Sequence, residues 1–204
     1  MEKLLLASGS PRRRELLDSL GIGFEALASD VDESIRDYLP PSARVLALAE
    51  DKARASASAA PSSAPRLVLG ADTLVSIEDP PSPAIVLGKP SDEADARAMI
   101  RLIQGRKHLV HTGIALVDRV SGSVRTALSS STVSFSPMDG TEIEEYLSSG
   151  DWEGAAGAYR IQGLAALYID KLEGSWSCVV GLPIRELYVI LRDAEFRVPI
   201  VSAR

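Results

Sequence analysis

The hydrophobic pattern begins with the apolar run Leu4-Leu5-Leu6-Ala7. It breaks at Ser8-Gly9-Ser10-Pro11, and a helical pattern follows with Leu16, Leu17 and Leu20 on one face. Ser10 is placed to cap that helix, Pro11 suits its first turn and Gly21 its exit, so strand, loop and helix succeed one another directly. Phe24 to Ala28 reads as a second strand ending in the acidic turn Asp30-Val31-Asp32-Glu33, and Ser42 caps a helix through Ala57. Ser58 to Pro65 reads as a loop. Leu67 to Ala71 suits a strand buried on both faces and ending at Asp72-Thr73. Val75 to Ile77 and Ile85 to Leu87 read as strands joined by a stiff connection bearing Pro80, Pro81 and Pro83.

Further along, Ser91 opens a helix that Gly105 closes, and β-rich runs cover Leu109 to Asp118 and Ser123 to Phe135. Thr141 with Glu144 forms a capping-box pattern for a helix to Ser148. Leu164 to Ile169 and Ser175 to Val180 read as strands, and Pro183 starts a last helix carrying Leu187, Ile190 and Leu191. Interleaved strands and helices, with hairpins as well as crossovers, predict an α/β protein on a mixed sheet. No internal repeat is evident.

Composition narrows the classes. With 204 residues, 46% hydrophobic and 25% charged, the chain is of ordinary globular make-up, enough for one large domain or two small lobes. Its formal charge of −6 disfavours nucleic-acid backbones, which need a positive surface, so a polyanionic ligand must meet a local cationic pocket or a metal. The single Cys178 excludes an intrachain disulfide and a cysteine zinc cage. No leader or membrane-length apolar stretch is found, and a cytoplasmic location is expected.

Three constellations could carry chemistry. The helix start after Ser8-Gly9-Ser10 offers free backbone N–H groups and a dipole that favours anions, yet Arg12, Arg13 and Arg14 sit in that first turn. Phosphates would give the cations a reason, although a solvated basic turn reads equally well. Arg13 lies at the edge of the inward face and Arg14 points elsewhere. Lys52 extends the apolar stripe of Val45, Leu48 and Ala49, either snorkelling to water or joining an anion pocket. Glu33 and Asp72 are carboxylates suited to Mg²⁺ or Mn²⁺, though turn acids such as Glu33 commonly serve as solvated or capping residues. Lys89 stands on a rigid bend before Pro90. Gln162 has an amide able to read the O4/N3–H edge of uracil or thymine, or to cap a loop.

Other signals fail. His108 and His111 lie three apart in a strand and face opposite sides, so they share no metal. No Walker A sequence or strand-linked GxGxxG occurs, serines lack a histidine partner in a motif context, and Trp152 and Trp176 read as packing residues.

Leu-Ala-Ser-Gly-Ser-Pro-Arg-Arg at 6–13, Glu33, Ala49-Glu50-Asp51-Lys52-Ala53, Gly70-Ala71-Asp72-Thr73, Gly88-Lys89-Pro90, Gly157-Ala158-Tyr159 with Ile161-Gln162-Gly163, and Val180-Gly181-Leu182-Pro183 together resemble the Maf family, in order and over nearly the whole chain. The resemblance implies one Maf/ITPase-like α/β domain over residues 1–204, with a central mixed twisted sheet flanked by helices and two lobes enclosing an active-site cleft. It implies a homodimeric nucleoside triphosphate pyrophosphatase using a divalent cation, Mg²⁺ or Mn²⁺, with neither nucleic acid nor membrane as partner. By position, Asp72 matches the catalytic acid, and Glu33 and Asp72 the metal site. Ser8, Arg13, Glu33, Lys52 and Lys89 match the substrate pocket, and Arg12, Thr73 and Gln162 the subfamily acting on dTTP and UTP. Two places depart from the family pattern: Gly154-Ala155 replaces an Asp-Lys pair, and Arg160 replaces the glycine before Ile-Gln-Gly. The competing classes are a non-enzymatic nucleotide-binding regulator of cell division and a nucleic-acid-binding protein.

Overall fold

The structure, a computed structural model, describes residues 2–79 and 82–199. The predicted prolines Pro80 and Pro81 lie outside the described residues. One sheet of seven strands runs through the described chain, with β2 (Phe24–Ala26), β1 (Leu4–Leu6), β3 (Leu67–Ile77), β5 (Lys107–Asp118), β6 (Val124–Phe135) and β7 (Ile169–Glu173) in that order, and β4 (Ile85–Leu87) paired with β3. β1 is parallel to β2 and β3, whereas β4 and β7 run antiparallel to their neighbours, so the expected mixed α/β sheet flanked by helices is present. The helices are α1 (Pro11–Ser19), α2 (Pro41–Ala59), α3 (Glu93–Ile103), α4 (Gly140–Ser148), α5 (Trp176–Val180) and α6 (Ile184–Asp193).

By contacts the described residues form two compact units. The first holds residues 2–72, 112–129 and 181–199. In it α2 lies on β1, β3 and β5 through small residues: Ala49 and Ala53 pack with Leu5, Ala7, Val68, Ala115 and Val117. Two glycines admit the helix backbone. A Cβ on Gly70 would lie 2.8 Å from the nitrogen of Ala53 and closer still to the carbonyl of Ala49, and one on Gly113 would lie 2.5 Å from the carbonyl of Val45. The second unit holds residues 73–79, 82–111 and 130–180. There α3 packs with α4, and Phe135, His108 and Tyr159 form an aromatic cluster with ring centroids 5.0–5.6 Å apart.

Several local expectations are corrected. The run ending at Asp72 does not end there, because Leu74 to Ile77 continue it as one strand of 11 residues with Asp72 inside. The carboxylate is tolerated in a buried strand because a lysine pairs with it. α2 starts at Pro41, whose fixed φ and missing N–H suit a first helical position, rather than at a Ser42 cap, and its alanines carry it to Ala59. Asp92, not Ser91, caps α3, its carboxylate accepting from the N–H of Asp95 at 2.8 Å. The capping box of α4 is Asp139 with Glu142, which leaves Glu144 to pair with Arg97 at 2.7 Å. Residues 164–168 form a 3₁₀ turn, and the strand comes later, at Ile169–Glu173. The Trp176 segment is a short helix because the Ser175 hydroxyl accepts from the Cys178 N–H, an N-cap that outweighs the strand preference of its side chains. Trp152 packs as expected with Nε1 donating to Leu147, but Trp176 is 45% exposed.

Candidate active site

The loop between β1 and α1 is organised by Ser8. Its buried hydroxyl oxygen accepts from the N–H of Ser10 at 3.2 Å and from Nη1 of Arg13 at 2.9 Å, while Ser10 makes no side-chain cap. Nε of Arg13 donates to the carbonyl of Gly181 at 2.8 Å, so the guanidinium is held at both ends. Arg12 is half-buried and Arg14 exposed, which divides the three arginines as the helical spacing predicts.

α2 brings in the second cation. Gly70 and Asp72 share one face of β3, since strand residues two apart point the same way, and Gly70 lets α2 lie directly on that face. Lys52, one turn beyond Ala49, therefore reaches Asp72, with Nζ 2.6 Å from Oδ1. The same ammonium lies 2.6 Å from Oε1 of Glu33. Lys52 thus does not snorkel to water: its side chain is 13% exposed, that of Asp72 7% and that of Glu33 49%. One cation between two carboxylates leaves a net negative charge here, offset by the arginines of α1.

Glu33 opens a 3₁₀ turn, Glu33–Arg36, capped by Asp32, whose carboxyl is held below the ordinary range by bonds from the hydroxyl and N–H of Ser34. Arg36 ties this turn to α2 through a fork onto Asp51, at 2.8 and 3.0 Å. Sequence reasoning missed that fork. Its signal was available, because Arg36 lies three residues after Glu33 and Asp51 immediately before Lys52. The guanidinium of Arg13 titrates below its ordinary value, chiefly because burial disfavours its charge. Asp72 and Glu33 act in the opposite sense and Arg12 in the same one, so Arg12, Arg13, Glu33 and Asp72 share one electrostatic neighbourhood.

The structure thus brings Ser8, Arg12, Arg13, Glu33, Lys52 and Asp72 together in the first unit. Thr73 follows Asp72 within β3, and strand alternation puts its side chain on the opposite face. Lys89 and Gln162 belong to the second unit, where both are exposed. Their loops are tied by the N–H of Gly157 donating to the carbonyl of Gly88 at 2.9 Å.

The histidines serve separate bonds, as their spacing predicts. Nε2 of His108 meets the Tyr159 hydroxyl at 2.8 Å in the aromatic cluster. His111 lies between Ser130 at 2.8 Å and Glu78 at 3.1 Å, so a serine does find a histidine partner, contrary to the motif-based expectation. With Ser76 also donating to Glu78, these residues form a side-chain ladder across β3, β5 and β6. Among the described residues no group of three or more His, Cys, Asp or Glu side chains could hold a metal, and no helix is long and apolar enough to cross a membrane.

Comparison with known proteins agrees with the motif order. The model of the family described as Maf-like protein matches residues 3–194. A dTTP/UTP pyrophosphatase of Treponema denticola is 43% identical over 202 residues, 97% of this chain and 100% of its own length. One of Moorella thermoacetica is 44% identical over 191 residues, 94% of each chain. Among solved structures, a nucleoside-triphosphatase / dITP/XTP pyrophosphatase from Mycobacterium abscessus is similar over 65% of this chain and 72% of that one, but with TM-score 0.38 and 16% identity the likeness is too slight to bear on function.

Proposed function

Since the chain belongs to the Maf-like protein family, we propose that it hydrolyses nucleoside triphosphates, dTTP and UTP foremost, to the nucleoside monophosphate and pyrophosphate. The observation that carries this reading is the Lys52 bridge between Asp72 and Glu33 beside the Arg12-Arg13 helix start. Relatives about as long as this chain, bearing the name dTTP/UTP pyrophosphatase, support the substrate class.

Oδ2 of Asp72 is buried without a hydrogen-bond partner, beside a half-exposed Glu33. Such a donor set suits Mg²⁺ or Mn²⁺, which take one or two carboxylates and complete their shell with phosphate oxygens and water. Held by Asp72 and Glu33, the cation would neutralise phosphate charge and polarise the α-phosphoryl group. Arg12, Arg13, Lys52 and the N–H groups opening α1 hold the triphosphate, with Lys89 as a further cation and the hydroxyl of Ser8 as a donor. Asp72 orients the attacking water and accepts its proton, while the fixed cations stabilise charge on the departing pyrophosphate. The amide of Gln162 reads the O4/N3–H edge of the base. The protein works as a cytoplasmic homodimer, with neither nucleic acid nor membrane as partner.

The test is pyrophosphate release from a panel of triphosphates with Mg²⁺ and with Mn²⁺. Asp72→Asn is expected to lose on the order of 10³-fold or more in turnover while still folding, since Lys52 keeps its pairing with Glu33. Wild-type turnover in that variant would remove Asp72 from the chemistry, and faster hydrolysis of purine triphosphates than of UTP and dTTP would overturn the base preference.

A further inference from the structure

Gln162 stands at the tip of a tight turn in which the N–H of Gly163 donates to the carbonyl of Arg160 at 3.1 Å. The residues leading into that turn are fixed in the second unit's core: Tyr159 is buried with its hydroxyl on His108, and Ile161 is buried as well. Gln162 itself is exposed. What remains to be set is the tilt of the turn, and one carboxylate grips it from both flanks. Oδ1 of Asp151 accepts from Nη1 of Arg160 at 3.0 Å, just before the turn, and Oδ2 accepts from the N–H of Leu164 at 2.9 Å, just after it.

The rest of the arrangement is built around that grip. The second amino group of Arg160 donates to the carbonyl of Glu153, so its fork spans two anchors. A Cβ on Gly163 would lie 2.8 Å from both Cγ and Oδ1 of Asp151, so the carboxylate fits only because residue 163 has no side chain. The side chains of Arg160 and Asp151 are 28% and 19% exposed, which screens the pair less than a surface ion pair.

We propose that Asp151 and Arg160 are positioning residues for specificity, a clamp that holds the Gln162 turn at the tilt in which its amide meets the pyrimidine edge. The inference rests on the reading of Gln162 as the base-reading residue. A glutamine amide discriminates only when its donor and acceptor are both aligned, so loosening the turn weakens binding of the correct base and leaves the chemistry of the phosphates in place.

Steady-state pyrophosphate release from UTP and from a purine triphosphate tests this on Arg160→Gly, Arg160→Lys, Asp151→Asn and the Asp151→Asn/Arg160→Gly double variant, with Gln162→Ala alongside. Arg160→Gly is expected to raise KM for UTP about tenfold, the equivalent of ~1.4 kcal/mol. Its kcat should stay within about twofold, and its KM for the purine nucleotide should change little. Arg160→Lys, which keeps the charge without the fork, should fall between, and the double variant should be no worse than the worse single. An unchanged KM for UTP in Arg160→Gly, while Gln162→Ala raises it, overturns the clamp alone. If Gln162→Ala leaves that KM unchanged, the base-reading premise fails and the clamp with it. Parallel losses on both nucleotides with a lowered unfolding midpoint make the pair merely structural and also overturn the proposal.

Discussion

Gly70→Ala perturbs the seat of α2 with a single methyl group and tests whether that seat places Lys52. The added Cβ would stand 2.8 Å from the nitrogen of Ala53 and 2.9 Å from its Cβ, with the Ala49 carbonyl nearer still, and these atoms belong to backbone or short side chains that cannot swing away. Ordinary carbon contacts begin near ~3.5 Å, so α2 has to retreat from β3 by roughly 1 Å at that turn. Overpacking of this kind costs about 1–3 kcal/mol, against about 0.5–1 kcal/mol recovered by replacing a strand glycine with alanine. A net loss of ~1–2 kcal/mol in urea denaturation is therefore expected. The larger effect falls on function, because Lys52 lies between Ala49 and Ala53 and moves with them away from Asp72. A misplacement near 1 Å in a site of this type costs on the order of 10²-fold in kcat/KM. Gly140→Ala is the control: an added Cβ there meets nothing within 4 Å, so turnover should stay unchanged and stability should not fall. The reasoning is refuted if Gly70→Ala denatures and turns over as wild type does, and the coupling to Lys52 is refuted if the variant loses stability but its folded fraction turns over normally.

Two further perturbations probe the buried charges. Lys52→Met leaves Asp72 and Glu33 facing one another without their cation. Because one partner of a largely buried pair is removed, a loss of ~3 kcal/mol is expected, and added Mg²⁺ or Mn²⁺ should raise the variant's thermal midpoint more than the wild type's; equal metal responses would argue against the carboxylate pair as a cation site. For His108, burial pushes the imidazole pKa from 6.5 down to about 4, so it stays neutral in the folded protein while the unfolded chain still takes up a proton below 6.5. Between those values the unfolded state binds more protons, so this contribution is fully present above pH 6.5 and is lost as the pH falls toward 4, by up to about 3 kcal/mol. His108→Gln, which keeps an acceptor for Tyr159, should flatten the difference in urea stability between pH 7 and pH 4.5; an unchanged slope would refute the assignment.

Patterning alone identified the alternation of strands and helices, the loop-to-helix start at Ser10-Pro11, the apolar faces of α1, α2 and α6, and the mixed sheet, because burial imposes a period that survives in the residue order. Its errors cluster where a local choice depends on one competing hydrogen bond. The cap of α4 sits two residues earlier than the Thr141-Glu144 spacing suggests because Asp139 supplies an alternative box, and the Ser175 cap turns a run of strand-forming side chains into a helix. Position in a strand was also misjudged at Asp72: a carboxylate looks like a strand end until its cation is known.

By itself, then, the sequence determined which side chains carry charge into apolar surroundings: three arginines opening a helix, a lysine on an apolar stripe, a carboxylate after a buried run. Each admitted a bland alternative, since neither hydrogen-bond partners nor desolvation can be read from residue order. Only the tertiary structure decided among those alternatives. It seated α2 on Gly70 so that Lys52 meets Asp72, folded the Glu33 turn back through Arg36 and Asp51, and turned Arg13 onto Ser8 and Gly181. Groups 20 or 168 residues apart in the chain become partners through packing, and packing follows from the shapes of whole elements rather than from the identity of any single residue.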